Sequence, residues 1–211
     1  MTKKVIDDVK YLEKLEPIHN CVTFFGSARL KQDNEYCVFA SNLAKKLADL
    51  GYCIVSGGGA GIMQASNYGA MLSKNSHLKS VGFNIHLPFE QKANSFLEYN
   101  ITFKSLAIRK MALIQKSFAF VIFPGGFGTL DEFFEILTLK QLSIRKNVPI
   151  ILVGQKFWHT LDKFIKTSLL ELQTISKDDR LKYSISDDLD EIIRIIKENN
   201  ENSCCNEWGC G

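Results

Sequence analysis

The chain has 211 residues, and its 26 Lys and Arg stand against 23 Asp and Glu, a net charge of +3. That length suits one domain, or two small ones at most, and 45% hydrophobic with 23% charged residues excludes disorder or a collagen-like repeat as the main state. The near-balanced charge gives no sign of a nucleic-acid-binding face, and no apolar stretch approaches the ~20 residues of a membrane span.

The N-terminal MTKKVIDDVKYLEKLE carries no apolar run of signal-peptide length, so a cytoplasmic protein is expected, and residues 1–19 read as an extension ahead of the fold. From residue 20 strands and helices alternate. CVTFF (Cys21–Phe25) reads as a buried strand, and Glu35–Leu50 as a helix with Val38, Phe39, Leu43, Leu47 and Leu50 on one face, stopped by Gly51. Tyr52–Val55 is a second strand, Ile62–Leu72 a helix and Ser80–Phe83 a third strand. Asn84–Tyr99, with Pro88 and mixed polarity, reads as a long loop of the kind that carries function. A weak strand at Ile101–Phe103 precedes a helix at Ser105–Lys116. FAFVIF (Phe118–Phe123) has the continuous apolar character of a strand covered on both faces. A helix at Thr129–Leu142, a strand at Val148–Val153, a helix at Phe157–Leu170, a short strand at Tyr183–Ile185 and a closing helix at Leu189–Lys197 follow. Alternation of this kind predicts one α/β domain over residues 20–199, a doubly wound, Rossmann-like parallel sheet with helices on both faces.

The cysteines fit the same picture. Cys21 and Cys53 lie in strand-like runs and Cys37 on a helix, so all three read as buried free thiols. Cys204, Cys205 and Cys210 crowd the segment ENSCCNEWGCG, where no fourth ligand has zinc-finger spacing, and residues 200–211 read as a frayed tail.

Two glycine clusters stand out. Ser56-Gly57-Gly58-Gly59-Ala60-Gly61 leaves one strand and opens a helix, and Pro124-Gly125-Gly126-Phe127-Gly128-Thr129 does the same after another. Glycine lets backbone N–H groups approach an anion closely, and the following helix adds unpaired N–H groups and the positive end of its dipole. Either cluster alone reads equally well as a plain turn. Two at the carboxyl edge of one parallel sheet point to a phosphate-bearing ligand. No G-x-x-x-x-G-K-[ST] is present, Ile62 occupies the place of a third fingerprint glycine, and Asn75–Val81 offers no acid for a ribose, so the usual dinucleotide mode is disfavoured. Asp131 and Glu132 fall in the first turn of the second helix. They suit the dipole there, with Thr129 as N-cap and Glu132 as its capping-box partner, or they serve part of the ligand. Arg109 and Lys110 lie off the apolar face of the preceding helix, either as solvated charges or as cations beside the anion site.

PGGFGTLDE (Pro124–Glu132) is similar to the P-G-G-x-G-T-x-x-E motif of the LOG family, the cytokinin riboside 5′-monophosphate phosphoribohydrolases, often mislabelled lysine decarboxylases. Arg109-Lys110 resembles the family's R-K pair, SGGGAGIM (Ser56–Met63) its first glycine turn and FGSAR (Phe25–Arg29) its first strand end. LPFEQKAN (Leu87–Asn94) and TLKQ (Thr138–Gln141) look closest to the bacterial branch. The resemblance implies hydrolysis of the N-glycosidic bond of AMP or an N6-modified AMP to free base and ribose 5-phosphate. It implies Arg109 and Glu132 as the catalytic pair, with Gly57, Gly58, Gly61, Gly125, Gly126, Phe127, Gly128 and Thr129 around the substrate. Ser27, Asn94, Lys110 and Thr138 are further substrate-binding candidates. It implies no metal and no organic cofactor, and a homodimer, which the apolar Phe133, Phe134, Ile136, Leu137, Leu139 and Leu142 would help to form. A decarboxylase would need a pyridoxal phosphate lysine, and no lysine is singled out. Gln64 and Ser95 depart from the bacterial pattern, which more often has Glu and Pro there. Two other readings are a domain that holds a nucleotide without cleaving it and a partner-binding domain whose glycine turns are only turns.

Overall fold

A computed structural model describes residues 2–13, 18, 20–75, 77–87, 92–146 and 148–207, with side chains placed for 5–12, 18, 20–75, 77–87, 92–146 and 148–200. The elements are α1 (Thr2–Glu13), β1 (Cys21–Phe25), α2 (Glu35–Asp49), β2 (Cys53–Ser56), α3 (Ile62–Met71), β3 (Ser80–Ile85), β4 (Tyr99–Phe103), α4 (Leu106–Gln115), β5 (Ser117–Ile122), α5 (Phe127–Gln141), β6 (Ile150–Leu152), α6 (Gln155–Phe164), β7 (Ser184–Ile185) and α7 (Leu189–Glu207). The seven strands form one parallel sheet in the order β4-β3-β2-β1-β5-β6-β7. The chain builds outward from β1 to β4, then returns to the other side of β1 with β5. The loops after β1 and β5 therefore part to opposite faces, and this switch point is where an open α/β sheet leaves a crevice.

The strands are buried on both faces because helices cover both. Val22, Phe24, Ile54, Val121 and Phe123 pack against α2, α3 and α7, through Leu43, Leu47, Ile62, Ile192 and Ile196. Phe25, Val55, Phe83, Phe120 and Ile122 face the opposite side and pack against α4, α5 and α6, through Leu113, Phe133, Ile136 and Trp158. Phe133 sits between the rings of Trp158, at 5.8 Å, and Tyr183, at 5.6 Å. Cys21, Cys37 and Cys53 are buried free thiols.

The expected alternation is present, with boundaries shifted at several ends. β3 runs on to Ile85 and takes the first residues of the segment expected as loop, because Asn84 and Ile85 pair with Thr102 and Phe103 of β4. The helix expected to reach Leu170 ends as α6 at Phe164 and continues as a π-helical turn over Ile165–Leu169. α7 continues past the expected end at Lys197 to Glu207, since no Gly or Pro interrupts ENNENSCCNE. The side chains of Cys204 and Cys205, and Cys210 altogether, lie outside the described residues, as do 88–91 of LPFEQKAN.

One element was not expected. α1 packs Val5 and Leu12 on the core, the i, i+7 face of an amphipathic helix. Its buried Asp8 accepts hydrogen bonds at Oδ2 from the N–H groups of Lys104, at 2.9 Å, and Ser105, at 2.6 Å. Ser105, the N-cap of α4, makes no side-chain capping bond. A carboxylate from the far end of the sequence thus satisfies the start of the helix that carries Arg109.

Candidate functional site

Three loops meet at the carboxyl end of the sheet: the turn after β1, the first glycine cluster after β2 and the second after β5. Backbone hydrogen bonds join them. Ser27 N–H donates to Pro124 O at 3.0 Å, and Ile62 N–H donates to Ser27 O at 3.1 Å. This close docking requires glycine at 61, which has φ +62° and where a Cβ would run into the Ser27 carbonyl and the Ala28 backbone.

The first glycine turn rests on a buried polar network. Ser56 Oγ accepts from Gly58 N–H at 2.9 Å and donates to Asn67 Oδ1 at 2.6 Å. Asn67 Nδ2 donates to Ser80 Oγ at 3.0 Å. Asn94 Nδ2 donates to Gly59 O at 3.0 Å and to Asn67 Oδ1 at 3.1 Å, while its Oδ1 accepts from Phe96 N–H at 3.0 Å. Every member has partners, so the network fixes the turn.

The second glycine turn opens α5. The helix starts at Phe127, two residues before the expected Thr129, and its N-cap is Gly126, which supplies no side-chain cap. The first-turn N–H groups consequently have no side-chain acceptor on the cap, and a Cβ built at Gly126 or Gly128 would meet open space. The capping box expected between Thr129 and Glu132 does not form, because Thr129 already lies inside the first turn and Glu132 is engaged elsewhere.

That engagement is with Arg109. Arg109 Nη1 donates to Glu132 Oε1 at 3.2 Å, and the two side chains are only 12% and 13% exposed. Arg109 Nε donates to Phe83 O at 2.8 Å. A Cβ at Gly57 would overlap Nη2 of Arg109, so glycine there makes room for the guanidinium. Burial pushes the Glu132 carboxyl up to about 7, although the Arg109 and Lys110 cations pull it down. A carboxyl poised near neutral pH can hold or release a proton under ordinary conditions.

The cleft has a volume of about 870 Å³, within the range of small-molecule sites. It is lined by Gly26, Ser27, Ala28 and Arg29 from the turn after β1, by Gly125 to Leu130 at the start of α5, and by Met63, Arg109 and Glu132. The structure therefore brings together Ser27, Arg109, Gly125, Gly126, Phe127, Gly128, Thr129 and Glu132 from among the expected residues. Gly57, Gly58 and Gly61 stand behind this lining, against Arg109, Asn84 and the Ser27 carbonyl. Lys110 turns away and pairs with Asp131 and Glu135, each at 2.7 Å. Asn94 is engaged in the polar network, and Thr138 is exposed further along α5, donating to Phe134 O at 2.7 Å. Arg29, Met63 and Leu130 line the cleft without having been singled out. The available signal was topological: Arg29 closely follows β1, the strand beside which the sheet reverses direction.

Among the described residues no group of three or more His, Cys, Asp or Glu is placed to hold a metal ion, and no helix is long and apolar enough to cross a membrane.

The parallel sheet with its cleft at the switch point defines a Rossmann-like α/β protein. The chain belongs to the LOG family: residues 63–196 match the family model described as "Possible lysine decarboxylase". It is 31% identical over 151 residues to the probable cytokinin riboside 5′-monophosphate phosphoribohydrolase LOGL5 of Oryza sativa subsp. japonica, a match covering 72% of this chain and 60% of the rice protein. It is 23% identical over 155 residues to the cytokinin riboside 5′-monophosphate phosphoribohydrolase of Rhodococcoides fascians, covering 74% of this chain and 78% of that protein. The match thus spans about three fifths of the length of the rice relatives. Solved structures share the fold. The molybdenum cofactor carrier protein of Chlamydomonas reinhardtii superposes with a TM-score of 0.60 at 19% identity, covering 87% of this chain and 99% of that one. The molybdenum cofactor binding protein of Rippkaea orientalis gives 0.59 at 18% identity, covering 85% and 96%.

Proposed function

We propose that this protein hydrolyses the N-glycosidic bond of a nucleoside 5′-monophosphate, AMP or an N6-modified AMP, giving the free base and ribose 5-phosphate. The observation that carries this reading is the buried Glu132–Arg109 pair in a cleft that the start of α5 also lines. The activity named for the relatives supports it.

In this reading the C1′–N bond breaks with its electron pair leaving on the base, and positive charge builds on the ribose. The Glu132 carboxylate stabilises that charge and accepts the proton of the water that adds to C1′. The departing base takes up a proton from solvent and Glu132 returns its own to solvent, so one water is consumed and the carboxylate is restored. Arg109 holds Glu132 in place and keeps enough of it ionised to act. The N-terminus of α5 receives the 5′-phosphate.

The reading of a domain that merely holds a nucleotide has this same pair against it. Holding a nucleotide calls for no carboxyl poised near neutral pH in the cleft, whereas hydrolysis uses one. Incubation with AMP, GMP, CMP and isopentenyladenosine monophosphate, followed by chromatography, tests the proposal. Free adenine or N6-substituted adenine is expected, and intact nucleotides throughout would refute it.

The active form is a homodimer in this reading. Phe133 and Ile136 are fully buried in the chain's own core, while Phe127 is 91% and Phe134 37% exposed on α5, and Leu142, at its C-cap, 62%. Phe134 and Leu142 are the apolar side chains at this end of the helix that are left for a second copy.

A further inference from the structure

A bound 5′-phosphate needs cationic partners, and the ionisable side chains lining the cleft are Arg29, Arg109 and Glu132. Arg109 is committed, with Nη1 on Glu132 and Nε on Phe83 O. Its Nη2 lies against Gly57, and turning the guanidinium toward a phosphate would break its bonds to Glu132 and Phe83 O and leave a buried carboxylate without its counter-ion, at high cost. Lys110 is outside the lining and bridges Asp131 and Glu135.

Arg29 stands differently. Only its backbone N–H is engaged, donating to Ser27 Oγ at 3.1 Å, and among the described residues its guanidinium has no ion pair and no hydrogen bond. Its loop is nevertheless fixed, tied at Ser27 to Pro124 on one side and to Ile62 on the other. The result is a free guanidinium on an anchored backbone, lining the same cleft as the first turn of α5.

We propose that Arg29 is the phosphate-binding side chain of this site, and that Arg109 acts only through Glu132. The proposal rests on the reading that the ligand is a nucleoside 5′-monophosphate. The start of α5 offers about half an elementary charge against a phosphate that carries up to two. Arg29 supplies a full charge, in a planar fork that matches two phosphate oxygens. The cleft then divides by charge. Arg29 and the α5 N–H groups take the phosphate, and Glu132 with Arg109 lies where the sugar carbon reacts.

Calorimetric titration of ribose 5-phosphate into the wild type, Arg29→Gln and Arg29→Lys tests this. Arg29 is exposed, so the variants should melt as the wild type does. Loss of a charged hydrogen-bond donor should weaken Kd about tenfold to a hundredfold in Arg29→Gln, with Arg29→Lys recovering part. The ratio of kcat/KM for AMP over adenosine should fall by a similar factor. Equal ribose 5-phosphate affinity in wild type and Arg29→Gln, or no wild-type affinity at all, overturns the assignment. Arg29-dependent phosphate binding in a protein that releases no base supports the assignment while overturning the hydrolase. Base release with phosphate affinity indifferent to Arg29 does the reverse.

Discussion

Glu132→Gln should make the protein more tolerant of alkaline pH. The Glu132 carboxyl is raised from an ordinary 4.5 to about 7 in the folded chain by burial, against the pull of Arg109. A folded value above the unfolded one means that the folded state prefers the proton. The penalty is absent below pH 4.5, grows as the unfolded chain loses its proton first, and is complete above about pH 7. A gap of roughly 2.5 pH units at 1.36 kcal/mol each sets a ceiling of about 3 kcal/mol, of which about 2–3 kcal/mol develops between pH 5 and pH 8. Gln has the same shape, can still accept from Arg109, and does not titrate. Thermal or urea unfolding of both proteins at the two pH values isolates the difference. Wild type should lose about 2–3 kcal/mol more than the variant between pH 5 and 8, or about 4–12 °C in melting temperature for a domain of this size. Parallel pH dependences would show that Glu132 ionises as an ordinary surface carboxylate, and the poised acid at the site would be lost.

Gly57→Ala places a Cβ against Arg109 Nη2 and Met63 Sδ, both ends of flexible side chains. Displacing Arg109 from Glu132 unpairs a buried ion pair, so the melting temperature should fall together with base release, the latter about a hundredfold; unchanged turnover would refute the positioning of Arg109 by Gly57. Asp8→Ala removes the acceptor for Lys104 and Ser105 N–H and should cost about 1–2 kcal/mol in urea unfolding. No loss would mean that α1 is dispensable to the start of α4. Light scattering should give twice the 23.9 kDa chain mass, and Leu142→Lys should shift it toward one chain; a wild-type monomer would remove the dimer.

The sheet was legible because its strands are continuous apolar runs such as FAFVIF and its helices have regular apolar faces such as Leu43, Leu47 and Ala40, all buried. The glycine turns were legible for the same local reason, since PGGFGTLDE follows one strand directly. What escaped was set by contacts distant in sequence. α1 presents only Val5 and Leu12 to the core, and its Asp8 acts across 97 residues, on Ser105. Lys110 sits next to Arg109, yet one residue along a helix turns it toward Asp131 and Glu135 instead of the cleft. Asn94 has the polarity of a ligand-binding side chain and is engaged instead in the network beneath Gly58 and Gly59. Arg29 lies on a loop whose neighbours, Pro124 and Ile62, come from two other loops.

The measurement that reaches furthest is a single-turnover incubation with AMP, comparing wild type with Glu132→Gln and identifying both products. Wild type should give adenine and ribose 5-phosphate in equal amounts, with the variant slower by about 10²–10⁴-fold. AMP left intact by the wild type, or equal rates in the two proteins, would contradict the proposed mechanism.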